Sequence, residues 1–224
     1  MSDTIRMVLV GATGLIGRSV IERAVGQPGL ELTAVARREM PLPPGARMQM
    51  LLSDTSHWDD AIAAGRPHVV VIALGTTIRT VGGDKAAFRA VDHDLVLQCA
   101  RAAKAAGARQ LIVVSSVGAR MASKNFYLQV KGEVEDQLAK LRFDRLDILR
   151  PGLLRGRREG PVRWGERIGM VVSPLADLLM QGSLRPYRSV KAERLAEVIL
   201  ALAGARVKGR FVHQHDEFER LLRR

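Results

Sequence analysis

Three glycines limit what this chain can fold into more than any other feature. Gly11, Gly14 and Gly17 stand at three-residue intervals in "VLVGATGLIG". They follow a strand-like apolar run, "IRMVLV" (5–10), and open a helix-like one, "GLIGRSVIERAVG" (14–26). A strand–turn–helix of this kind has a separate use for each glycine. One makes the tight turn, one lets the backbone approach a pyrophosphate, and one lets the helix pack on the strand. The helix start adds unpaired N–H groups and the positive end of a dipole. The stretch therefore predicts a dinucleotide cradle formed by Gly11, Thr13, Gly14, Leu15, Ile16 and Gly17. A glycine-rich turn that holds no ligand is the competing reading.

Strand-like and helix-like runs alternate beyond it. "ELTAVA" (31–36), "RMQMLL" (47–52), "HVVVIAL" (68–74), "QLIVVSS" (110–116) and "RLDILR" (145–150) read as strands. Unbroken valine and isoleucine point to burial on both faces, as in parallel sheets. Between them lie a short helix near 57–64 and a long amphipathic one, 84–107, closing on Gly107. A further helix carries "FYLQVKGEVE" (126–135). This rhythm predicts an α/β fold, a doubly wound parallel sheet of the Rossmann type. After Arg150 it loosens. Residues 151–190, rich in Gly, Pro and Arg, are expected to form a small irregular region over a substrate. Leu153, Trp164 and Tyr187 are its candidate lining, or core. Helices near 174–180 and 191–203 and a last strand, "GRFVHQ" (209–214), complete the chain. Its 224 residues suit one domain, 1–224.

Composition narrows the function. Aromatic residues are only 4%, so the core is aliphatic. A net charge of +12 invites nucleic acid. However, no aromatics alternate with basic residues to stack bases, and no zinc spacing or recognition helix is evident. A small polyanion drawn by the positive field fits better. The histidines lack ligand spacing except His213 and His215, which alternate as in a strand and read as surface, so no metal is expected. No Gly-x-Ser-x-Gly elbow supports a serine hydrolase. Cys99, the single cysteine, lies in a helix and reads as core. No apolar stretch reaches membrane-spanning length, and the amino terminus runs straight into a strand without a signal-peptide pattern. With no disulfide possible, these features set the expectation of a cytoplasmic protein.

The end of the second strand bears on cofactor choice. An NAD site usually places an acid there for the ribose hydroxyls. This chain reads "AVARREM", with Arg37 and Arg38 in that place, and guanidinium groups suit a 2′-phosphate. Surface arginines are the plain alternative, and Glu39 is the rival acid one or two residues later. Asp54, with Thr55 behind it, either meets the adenine or caps the next helix. Tyr127 and Lys131 stand at i and i+4 on one helix face. Spacing alone leaves open whether they are a reactive pair or a solvated flank.

In order along the chain stand the trio, "SDT" (53–55), "ALGTT" (73–77), "VVSSVGA" (113–119), "YLQVK" (127–131) and "DILRPG" (147–152). Together they resemble the atypical short-chain dehydrogenase/reductase superfamily. "NFYLQVKGEVE", with "FDR" and "RPG", is most similar to its Tat-interacting oxidoreductase group, small NADP-binding proteins. The likeness covers most of residues 5–155. It implies that Tyr127 gives or takes a proton and that Lys131 binds the nicotinamide ribose and favours the phenolate. It implies that Ser116, or Ser115, holds the substrate oxygen. Leu74, Gly75 and Thr76 would line the dinucleotide, and Pro151 and Gly152 would approach the nicotinamide through backbone. The implied activity is NADP(H)-dependent reduction of a small carbonyl, or the reverse on a hydroxyl, with NADP(H) preferred over NAD(H). The alternative is a dinucleotide-sensing regulator with a protein partner. One departure stands out. Many members carry a relay asparagine in the long helix, and here Asp92 stands at or near its place in "AVDHDLVLQCA". His93 and Asp94 beside it read as a solvated face.

Overall fold

A computed structural model describes residues 4–156 and 180–223. The main sheet contains β1 (Ile5–Val10), β2 (Leu30–Ala36), β3 (Met48–Leu52), β4 (Val69–Ile72), β5 (Gln110–Val114), β6 (Arg145–Leu149) and β9 (Gly209–His213). Their spatial order is β3-β2-β1-β4-β5-β6-β9, and every neighbouring pair is parallel. This is the doubly wound sheet that the alternating runs predict. Successive strand residues point to opposite faces, so a two-sided sheet needs apolar residues at both parities. Met7 and Leu9 enter one core, Val8 and Val10 the other. Helices α1 (Leu15–Ala24) and α6 (Ala192–Leu202) cover the first face. Helices α2 (Trp58–Ala64), α4 (Val96–Ala105) and α5 (Phe126–Lys140) cover the second. Each aliphatic side chain buried here contributes about 1.5–3 kcal/mol.

The expected last strand becomes the seventh of the sheet, parallel to β6. A buried polar cluster fixes it there. Asp147 of β6 is fully buried and accepts hydrogen bonds from Arg145 Nε (2.7 Å) and Nη2 (2.8 Å) and from Gln110 Nε2 (2.7 Å). His213 Nε2 lies 2.8 Å from the same carboxylate, so the surface reading of His213 is corrected: it is buried. Phe211 stacks under Arg145 at 4.2 Å. An acid among alternating apolar residues is affordable only with such partners.

The long helix is not regular. Helix α3 (Lys85–Arg89), capped by Asp84, passes into a π-helical turn at Ala90–Leu95 before α4 begins. The short strands β7 (Leu154–Arg155) and β8 (Val190–Lys191) form a separate ladder. Helix α7 (His215–Leu221) closes the chain, with a Gln214–Glu217 capping box that the sequence reading missed. Trp164 and residues 174–179 of an expected helix lie outside the described residues.

Candidate active site

The strand order reverses between β1 and β4, which opens a crevice at their carboxyl ends. The glycine turn crosses it. Gly11 has φ +93°, and a Cβ there would stand 2.7 Å from Ala73 carbonyl carbon and oxygen. A side chain at Gly17 would strike the Gly11 carbonyl, so α1 can lie close to the turn only with glycine there. Gly14 is the N-cap of α1. No side chain caps that helix and no acid sits in its first turn. The amides of Leu15, Ile16 and Gly17 thus begin the helix without intrahelical acceptors, an arrangement that suits an anion. The Ile16 side chain is buried in the core, Leu15 is half-buried, and the Thr13 carbonyl accepts from Arg18 Nε at 3.2 Å. The turn therefore fits a pyrophosphate.

Arg37 and Arg38 follow β2 directly and are exposed, and among the described residues neither meets a carboxylate. Glu39 is exposed beside them. Asp54 is exposed ahead of a short 3-10 turn, Thr55–His57, and its side chain makes no capping bond. The Thr55 carbonyl accepts from Gln98 Nε2 at 3.0 Å. Leu74 is half-buried against the core, and Gly75 is exposed.

Helix α5 begins at Asn125, whose side chain accepts from the Leu128 amide. Tyr127 is half-buried, its ring centroid 5.7 Å from that of Phe88. Lys131, one turn on, is buried. Its Nζ lies 2.8 Å from Asp92 Oδ1, and Asp92 Oδ2 accepts from the Thr76 amide at 2.7 Å. Asp92 thus ties the lysine to the loop after β4. The sequence reading marked Asp92 only as a departure. Asp92 lies within the π-helical turn, which helical periodicity does not reveal.

Gly132 lets the loop after β5 lie against α5, since a Cβ there would stand 2.5 Å from Arg120 Cα. The Arg120 amide donates to Leu128 O at 3.2 Å. Ser115 is buried and donates to Glu135 Oε1 at 2.5 Å, and Glu135 is in turn paired with Arg150. Ser116 is half-buried, and among the described residues its hydroxyl makes only a long 3.4 Å contact to the Val117 carbonyl. Pro151 is buried, its carbonyl accepting from the Val117 amide, and Gly152 lies against the Tyr187–Arg188 backbone. Leu153 and Tyr187 are exposed. Burial pushes the Cys99 thiol up to about 12, consistent with core.

A parallel sheet whose β1–β4 crevice carries this cradle defines a nicotinamide-dinucleotide-binding Rossmann protein. A family model described as NAD(P)H-binding matches residues 11–174, and the chain belongs to that family. Protein FMP52, mitochondrial, of Candida albicans is 32% identical over 90% of this chain and 89% of its own length. Its namesake in Eremothecium gossypii is 37% identical over 68% of this chain and 67% of its own. Among solved structures, the Bordetella bronchiseptica enzyme WbmG in complex with NAD and UDP superposes with a TM-score of 0.66. The match has 18% identity and covers 99% of this chain and 78% of that one, a likeness of fold. The cytoplasmic expectation is corrected by the relatives, which are named as mitochondrial proteins. Among the described residues no helix is long and apolar enough to cross a membrane, and no cluster of three or more His, Cys, Asp or Glu could hold a metal.

Proposed function

We propose that the protein is an NADP(H)-dependent oxidoreductase acting on a small carbonyl or hydroxyl substrate. The observation that carries this reading is Lys131, buried one turn beyond Tyr127 and tied through Asp92 to the loop beside the cradle. When bound, the dinucleotide supplies or accepts hydride. The chain's own residues do the rest. The first-turn amides of α1 hold the pyrophosphate, Arg37 and Arg38 the 2′-phosphate, Asp54 and Thr55 the adenine side. Leu74, Gly75 and Thr76 line the dinucleotide, and Pro151 and Gly152 flank the nicotinamide end. Lys131 holds the ribose. Ser116 polarises the substrate oxygen, and Tyr127 moves the proton at Oη. Ser115 serves Glu135 instead. One domain with residues 151–190 over the substrate, and the finer likeness to the Tat-interacting group, belong to the same proposal.

The second reading is a dinucleotide-sensing module that acts through a protein partner, and Asp92 in place of the relay asparagine favours it. Tyr127→Phe separates the two, because it removes one oxygen and keeps the ring. Small aldehydes and ketones are screened by loss of NADPH absorbance. Reduction is expected to fall about 10²–10⁴-fold in the variant, with dinucleotide affinity unchanged. A substrate reduced equally well by both proteins would defeat the enzymatic reading.

A further inference from the structure

We propose that Asp92 sets how the site discriminates oxidised from reduced dinucleotide, by neutralising Lys131. The inference rests on the dinucleotide reading above. Asp92 is 1% exposed and the Lys131 side chain 6%. Oδ2 is occupied by the Thr76 amide. Oδ1 lies 2.8 Å from Lys131 Nζ, an ion pair between two buried groups. A methyl group at Gly75 would stand 3.6 Å from this oxygen, so the carboxylate lies directly beneath the loop that follows β4.

The other charges nearby on the same two helices have neighbours of their own or face solvent. Arg89 pairs with Glu133 across them at 2.7 Å, the buried Glu135 pairs with Arg150, and Asp94 is exposed beside His93. Among the described residues, Asp92 is the one carboxylate in ionic contact with Lys131. The buried pair therefore presents no net charge. An asparagine at this position would leave one positive charge uncompensated. That difference matters for this ligand, because the oxidised nicotinamide ring is cationic and the reduced ring is neutral. A lone ammonium disfavours the oxidised form, a lone carboxylate favours it, and the pair does neither. Asp92 acts here as a positioning residue, through Lys131.

The test is the ratio of dissociation constants, NADP⁺ over NADPH, measured by titration calorimetry without any substrate. One uncompensated charge in a partly buried site is expected to move the ratio about tenfold. Asp92→Asn should raise it by that factor, and Lys131→Met should lower it by as much. The double variant carries neither charge and should return to within about threefold of the parent ratio. Asp92→Glu keeps the charge and should hold the parent ratio, so the test survives if one single variant fails to fold. A merely structural Asp92 would weaken both forms alike, and unchanged ratios across the series would overturn the inference. If the parent binds neither form, the dinucleotide site itself is wrong, a separate failure that takes the inference with it.

Discussion

Lys131→Met removes one partner of a buried ion pair and leaves the Asp92 carboxylate facing a thioether. Breaking such a pair from one side costs about 3–5 kcal/mol, because the remaining charge stays desolvated. The Thr76 amide continues to serve Oδ2, which places the cost near the lower end. For a chain of this size each kcal/mol corresponds to about 2–4 °C, so a loss of about 3 kcal/mol lowers Tm by about 6–12 °C. Adding Asp92→Asn to the same chain removes the stranded charge and keeps an oxygen for Thr76. The double variant is expected within about 1 kcal/mol of the parent. Urea unfolding followed by far-ultraviolet circular dichroism, without dinucleotide, measures all three. A Lys131→Met protein as stable as the parent, or a double variant no better than the single, would refute the buried-pair account.

Arg37→Ala and Arg38→Ala are each expected to weaken NADPH binding about tenfold to a hundredfold and to leave NADH unchanged. Calorimetry decides this, and equal parent affinities for the two reduced cofactors would end the assignment. Burial alone would raise the Asp147 carboxyl, but hydrogen bonds from His213, Arg145 and Gln110 outweigh it and hold the group below the usual range. A folded value below the unfolded one means stabilisation that is full above the unfolded carboxyl range. It is lost as pH falls through the folded value. The Asp147→Asn chain should therefore be less stable than the parent at neutral pH, with the gap closing in acid. Urea melts across that range that keep a constant gap would contradict it.

The fold was legible because its signals are local. Valine-rich runs, the glycine trio and Gly107, which has φ +80° after α4, each announce a backbone need within a few residues. The polar interior was not legible, because its partners lie far apart in sequence. Gln110 and Asp147 are separated by 37 positions, and His213 stands 66 positions beyond Asp147. A last strand whose histidine reads as surface turns out to bury it against an acid on β6. Asp92 was hidden for a different reason. It stands out in the sequence as a departure, but a regular helix does not foretell a π-helical turn at Ala90–Leu95.

The two serines after β5 differ in what holds their hydroxyls. Sequence order cannot choose between Ser115 and Ser116, which end the same strand-like run. Ser115 donates to Glu135, which pairs with Arg150, and the Arg150 amide donates to His213 O at 2.9 Å. That hydroxyl belongs to a chain of contacts joining β5, α5, β6 and β9. Releasing it for a substrate would give up a buried hydrogen bond to a carboxylate, worth about 1.5–3 kcal/mol, and leave Glu135 Oε1 to Arg150 Nε alone at 3.0 Å. Among the described residues Ser116 has no such commitment. Its loop is held by the close approach at Gly132 and by the Val117 bond to Pro151. A hydroxyl on rigidly held backbone, without a strong partner of its own, is what polarising a substrate oxygen requires. Ser116→Ala should therefore impair turnover with little loss of stability, and Ser115→Ala should do the reverse. Equal effects of the two in a paired melt and NADPH-consumption assay would return the choice to where the sequence left it.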